Sequence, residues 1–256
     1  MAGLRENAIH ARSCGYIYRV SLDNSALSLI DVDPISEQSP STAAVLLRLR
    51  TREPGALRWQ PGQHLELFVG EAAPGIPYSI ASAEDPERPG EFELAVSNEG
   101  NADWLARARA GQRLRVSTAR GEFVWRPRAE GSLFVGMGTG LSPLRAMLQA
   151  AQRSPARPRC TLLFGARTAE DILWRAEFER WASDATSFRF EPTLSRGATG
   201  WSGRRGRVQA HLLEIASELA GFSAYVCGSR GMVSDCVRGL TSELGFDSSL
   251  VFGEAH

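Results

Sequence analysis

Three glycines set two residues apart, Gly136, Gly138 and Gly140, stand between the apolar run 133–135 and a segment that opens with Ser142-Pro143. Proline is tolerated in a first helical turn because the N–H it lacks has no intrahelical partner there. Leu144, Met147 and Leu148 then recur at helical spacing, so the stretch reads as strand, glycine turn, helix. Glycines in such a turn let a ligand approach the backbone, and the helix start offers free N–H groups and a partial positive charge. That chemistry suits the pyrophosphate of a nicotinamide dinucleotide. The spacing is G-x-G-x-G and not the G-x-G-x-x-G fingerprint, so by itself it also fits a tight turn that holds nothing. Cys14, Cys160, Cys227 and Cys236 are scattered, with no C-x-x-C and no histidine at ligand spacing. This argues against zinc or an iron–sulfur cluster and fits a reducing compartment.

The elements that must position these groups fall into two grammars. Residues 15–20 and 26–32 are candidate strands, and 33–42, with Pro34, Pro40 and several serines, reads as a loop or linker. Short β-type runs follow at 44–50, 64–69, 78–81, 91–97 and 113–117. One helix, 102–109, interrupts them and stops at Ala110-Gly111. After Pro127 the pattern changes to strands at 133–135, 160–164, 189–193, 224–227 and 250–252. These alternate with helices at 143–152, 169–182, 208–219 and 232–244. Such a chain is an antiparallel β-barrel followed by an α/β doubly wound parallel sheet, which binds ligands at the carboxyl ends of its strands. The expected division is an irregular segment 1–42, a barrel 43–128 and an α/β domain 129–256.

The 256 residues are 43% hydrophobic and 23% charged, with a formal net charge of zero. This excludes the basic footprint of a nucleic-acid binder. Every one of the 29 basic residues is arginine, so an arginine near a phosphate site is less diagnostic here than usual. The first twelve residues lack the apolar run of a signal peptide, and no stretch approaches the roughly 20 apolar residues of a spanning helix. The expected location is cytoplasmic.

Six motifs in order, PGQHLEL (61–67), PYSIAS (77–82), GTGLSP (138–143), LLFGAR (162–167), LSR (194–196) and YVCGSRGMV (225–233), resemble the ferredoxin–NADP reductase family. The resemblance covers the chain from about residue 44 onward. It implies an FAD-binding barrel in which Tyr78, flanked by Pro77 and Ile80, packs on the flavin ring while the Ser79 hydroxyl meets its reactive N5. It also implies a nicotinamide domain in which Gly138, Thr139, Gly140 and Pro143 hold the pyrophosphate. Cys227, Gly228 and Met232 would then lie near the nicotinamide. Ser79, Cys227 and Glu254 would form the reacting end. Arg167, Ser195, Arg196 and the run RRGR that Arg204 opens and Arg207 closes bear on the 2′-phosphate and lean toward NADP over NAD.

Three positions depart from the family pattern. Ile76 stands where many relatives carry a phosphate-binding arginine, a loss that weakens affinity about tenfold or more. Gly100, Asn101, Ala102 and Asp103 replace a glycine–serine turn. Asn101 can cap the helix and leave N–H groups for the flavin phosphates, but the Asp103 carboxylate competes with them. The chain ends Glu254-Ala255-His256, with an imidazole where relatives place an aromatic ring. The implied activity is NAD(P)H oxidation through bound flavin to a separate one-electron acceptor, such as a ferredoxin, a flavodoxin or an oxygenase component. The alternative is a reductase-shaped module that has lost tight flavin binding and serves as a binding or assembly subunit.

Overall fold

A computed structural model of the chain describes residues 12–13, 16–17, 29–38, 44–70, 74–98, 102–109, 112–196 and 200–255. Two short strands, β1 (Arg12–Ser13) and β2 (Tyr16–Ile17), pair antiparallel. The first large sheet comprises β3 (Ile30–Gln38), β4 (Ala44–Thr51), β5 (His64–Val69), β6 (Ile76–Ser79), β7 (Glu91–Ser97) and β8 (Leu114–Val116). Helix α1 (Ala102–Arg109) lies between β7 and β8. The strand order is β6-β5-β8-β3-β4-β7, antiparallel throughout. The sheet curls until Ile80, just past β6, bridges Leu94 of β7 and joins the two ends. Alternation drives it: Leu65, Leu67 and Val69 point into a core with Leu47, Leu49, Phe92 and Leu94.

The second sheet is parallel, with order β12-β11-β10-β9-β13-β14. Its strands are β9 (Ser132–Met137), β10 (Cys160–Ala166), β11 (Phe188–Leu194), β12 (Arg204–Arg205), β13 (Ser223–Gly228) and β14 (Val251–Ala255). Helices α2 (Leu141–Arg153) and α3 (Arg175–Asp184) cover one face, while α4 (Gln209–Ala216) and α5 (Arg230–Arg238) cover the other. Strand order reverses between β9 and β13, and doubly wound sheets bind ligands at such a reversal. The apolar layer under α2 also includes Ala44, Leu46 and Ala95 of the first sheet, so the two sheets share a core. Among the described residues no helix is long and apolar enough to cross a membrane, and no cluster of three metal-ligand side chains occurs.

Several expected elements are redrawn. Residues 33–38 are strand, not linker: β3 runs through Pro34 with a bulge before Ser36. Its β8 neighbour pairs only Ile30–Val32, so the missing proline N–H falls where that side needs no donor. The helix expected over 169–182 is broken. The Asp171 carboxylate accepts from both the N–H and the hydroxyl of Thr168, closing a single 3-10 turn over Ala169–Asp171. Ile172 and Leu173 then dip into the core, and Trp174, left-handed at φ 53°, redirects the chain into α3. The last long helix ends at Arg238 and continues as a π-helical turn over Gly239–Glu243.

Candidate active site

The glycine turn lies where the topology reverses. Gly136 of β9 is in register with Cys227 of β13. Gly138 then takes φ +55°, and Gly140 packs so tightly that a Cβ there would sit 2.6 Å from the Cys227 carbonyl oxygen. Only glycine permits both the turn and that approach. Residues Gly138–Gly140 form a 3-10 turn leading directly into α2, with Pro143 in its first turn. No side chain caps the helix start, and no acidic residue stands in its first turn, so its positive end is not neutralised. Nearby, the buried hydroxyl of Ser142 has no hydrogen-bond partner.

Cys227 and Glu254 are neighbours across β13 and β14. The thiol is fully buried, and burial first and the Glu254 charge second push it well above the ordinary range, so it is a neutral thiol. Burial also pushes the Glu254 carboxyl up to about 7, which makes it a proton-holding group near neutrality. Met232, expected to face a ligand, is instead buried with Cys236 in the core between α5 and the sheet, their sulfurs 3.6 Å apart. Met137 is an exposed apolar side chain at this edge, and its sulfur accepts from the Ser229 hydroxyl at 3.6 Å.

On the barrel side, β6 presents Pro77, Tyr78 and Ser79, with Ile80 immediately after. Tyr78 leans on Trp104 of α1, ring centroids 5.8 Å apart at 56°, and burial raises its phenol so that it stays neutral. Ser79 is 9% exposed, and its hydroxyl is buried with no protein partner. Buried polar atoms are nearly always paired, so this hydroxyl is a group awaiting a partner. Ile76 packs onto the barrel core and brings no charge. Gly100, Asn101 and His256 lie outside the described residues, as do the side chains of Ala102 and Asp103.

Of the residues expected at a 2′-phosphate, the chain brings two segments together: the Arg196 N–H donates to the Arg167 carbonyl at 2.8 Å. The Ser195 hydroxyl is turned inward onto the Ala166 carbonyl at 3.2 Å. Arg204 is not available. Its guanidinium forms a fork on Glu214, both contacts 2.9 Å, and reaches Glu191 at 2.8 Å. Arg167, Arg196 and Arg207 are exposed, and no ion pair or side-chain hydrogen bond engages them among the described residues.

Residues 134–238 match the family model described as an oxidoreductase NAD-binding domain. The chain is 46% identical over 167 residues to ferredoxin–NADP reductase B of Sorangium cellulosum, covering 61% of this chain and 68% of that one. It is 25% identical to the anthranilate 1,2-dioxygenase electron transfer component of Acinetobacter baylyi, over 75% of this chain and 57% of that protein's length. Among solved structures it resembles the Amycolatopsis cytochrome P450 reductase GcoB, with TM-score 0.76, 26% identity, and coverage of 90% and 70% of the two chains. A Neisseria gonorrhoeae ferredoxin NADP+ reductase with bound FAD and NADP shares the fold at TM-score 0.71 and 18% identity, covering 89% and 98%. The curled antiparallel sheet, the parallel sheet reversing at a glycine turn and the identity to the Sorangium reductase agree: this chain is an oxidoreductase of the ferredoxin–NADP reductase family.

Proposed function

We propose that the chain oxidises NAD(P)H and delivers the electrons, through FAD, to a separate one-electron acceptor. That acceptor is a ferredoxin-like carrier or an oxygenase component, as the named roles of the relatives suggest. Residues 129–256 would hold the dinucleotide and the barrel, with β3 included, the flavin. The observation that carries the reading is the buried, unpartnered hydroxyl of Ser79 next to Tyr78 on β6. It fits a flat ligand with a polar edge, and Tyr78 offers an aromatic surface beside it. Bound flavin supplies the conversion between two-electron and one-electron chemistry. The chain's own residues orient and shield: Tyr78 backs the ring site, Ser79 donates a hydrogen bond at its edge, and the turn at 138–140 receives phosphate. Cys227 adds a neutral, dry wall, and Glu254 holds a proton at the rim. Buried cysteines suit a reducing compartment, and we assign the protein to the cytoplasm.

The unpaired guanidiniums of Arg167, Arg196 and Arg207 favour NADPH. Each charge-assisted contact to a 2′-phosphate is worth about 1.5–3 kcal/mol. The test is the visible spectrum of the purified protein with and without added FAD, followed by anaerobic NADPH or NADH. Flavin bands that bleach faster with NADPH support the reading. A colourless protein that takes up no FAD and oxidises neither nucleotide supports the second reading, a reductase-shaped binding subunit. Ile76, in place of a phosphate-binding arginine, is the observation that favours it.

A further inference from the structure

The seam between the two sheets is stitched from α2 by Arg145, Gln149 and Arg153, and the first of these has a type that no local pattern explains. Arg145 lies on the second turn of α2, five residues past Gly140, and is 5% exposed. Its Nε and Nη2 donate to the two oxygens of Glu177, at 2.6 and 3.3 Å. Its Nη1 donates across the seam to the Ala81 carbonyl at 2.8 Å and to Glu93 of β7 at 2.9 Å. The guanidinium also lies 4.5 Å over the ring of Trp174, the residue held left-handed at φ 53°. Gln149, one turn on, donates to Glu177 at 3.1 Å and accepts from the Ala83 N–H at 3.0 Å. Arg48 of β4 balances Glu93 at 3.2 Å.

The acceptor on the barrel side is the point of interest. Ala81 follows Ser79 by two residues, so the same guanidinium reaches the flavin-motif strand and grows from the helix that opens at the glycine turn. A planar fork with four of its five N–H groups engaged fixes orientation as well as distance, which a lysine ammonium does not. A buried polar network that is fully satisfied also rigidifies its surroundings.

We propose that Arg145 is a positioning residue, a guanidinium lock that sets where the dinucleotide-binding turn stands relative to β6 and thereby governs the rate of hydride transfer. The inference rests on the reductase reading above. Two variants test it: R145K, which keeps the charge without the fork, and the double variant R145M/E177Q, which avoids leaving Glu177 unpaired if the single truncation fails to fold. The first measurement needs no cofactor. Amide exchange of Ala83, whose N–H bonds Gln149 across the seam, is expected to rise about tenfold in both variants, while amides inside β7 and β9 keep their protection. The second uses FAD-loaded protein in stopped flow: the rate of flavin bleaching by saturating NADPH is expected to fall about ten- to a hundredfold, because small misplacements of reacting groups cost that much. FAD content and NADPH KM should stay within about twofold, a split that general unfolding would not give. Unchanged Ala83 exchange in both variants overturns the lock. Unchanged bleaching, or bleaching slowed only in step with lost FAD, overturns its role in transfer. Wild-type protein that never bleaches overturns the reductase reading instead, and the exchange data then still decide whether the lock exists.

Discussion

Glu254 gives the site a pH signature. Its carboxyl ionises ordinarily near 4.5, and burial lifts it to about 7 in the fold. Between those values the folded chain holds a proton that the unfolded chain has released. Stability is therefore greatest below pH 4.5 with respect to this group, falls as pH rises through the window, and levels off above about 7. The shift corresponds to no more than about 3 kcal/mol. Urea unfolding at pH 5 and pH 8 should show this slope in the native chain and a flatter one in E254Q. An equal slope in both would place the titration elsewhere. Ser79 makes a sharper prediction. Removing an orphaned buried hydroxyl costs the apoprotein little, about 1 kcal/mol or less in either direction. S79A should therefore match the native melting temperature within a few degrees while flavin bleaching by NADPH slows about tenfold or more. Loss of stability without a change in bleaching would make Ser79 structural. Ser79 was legible because it lies inside the motif PYSIAS, whereas Glu254 lies in the closing stretch that departs from the family pattern. The engagement of Arg204 by Glu191 and Glu214 was not legible: those acids lie 13 residues before it and 10 after it, on different elements.

At the level of elements, the glycine turn is the exacting part. A methyl at position 140 would press to within 2.6 Å of the Cys227 carbonyl oxygen and 2.9 Å of the Gly228 Cα. The obstacle is backbone, so the turn must move off β13. G140A should lose NADP+ binding by about tenfold or more in calorimetric titration while retaining flavin absorbance, since the barrel strands are untouched. Simultaneous loss of flavin would mean that the turn supports the barrel too. Elements with a clean period were readable in the sequence: β5, β7 and α1 fall where alternation or helical spacing puts them. Two others were hidden for definite reasons. Strand β3 crosses a proline, ordinarily a breaker, at a bulge beside an unpaired edge. The break before α3 depends on a left-handed tryptophan, a conformation no propensity favours, held by packing from Arg145 and by the burial of Ile172 and Leu173.

Across the whole molecule, two sheets with separate grammars share one apolar layer. Ala44, Leu46 and Ala95 from the curled sheet pack with Phe134, Leu144, Met147 and Leu148. Phe123 of the connecting segment meets the Tyr225 ring edge-on, centroids 6.0 Å apart, and adds a second brace. The Tyr225 hydroxyl accepts from the N–H of Arg126 in the connecting segment. Calorimetry should therefore record one cooperative transition, and near- and far-ultraviolet circular dichroism should melt at the same temperature. Two resolved transitions would show that the shared layer is weaker than the individual cores.

The Arg145 network also limits how such proteins can be recombined. A crossover between β8 and β9 exchanges the nicotinamide half as a cassette, yet it parts Arg145 from Glu93 and from Arg48 that balances it. Ala81 offers only a carbonyl, which any donor sequence would supply, so the backbone contact survives any swap. The charge complement survives only if both parents wrote the same acid at 93 and the same base at 145. Hybrids of this family would then divide by electrostatic compatibility at the seam before shape mattered, and parental pairs could be sorted by those two letters.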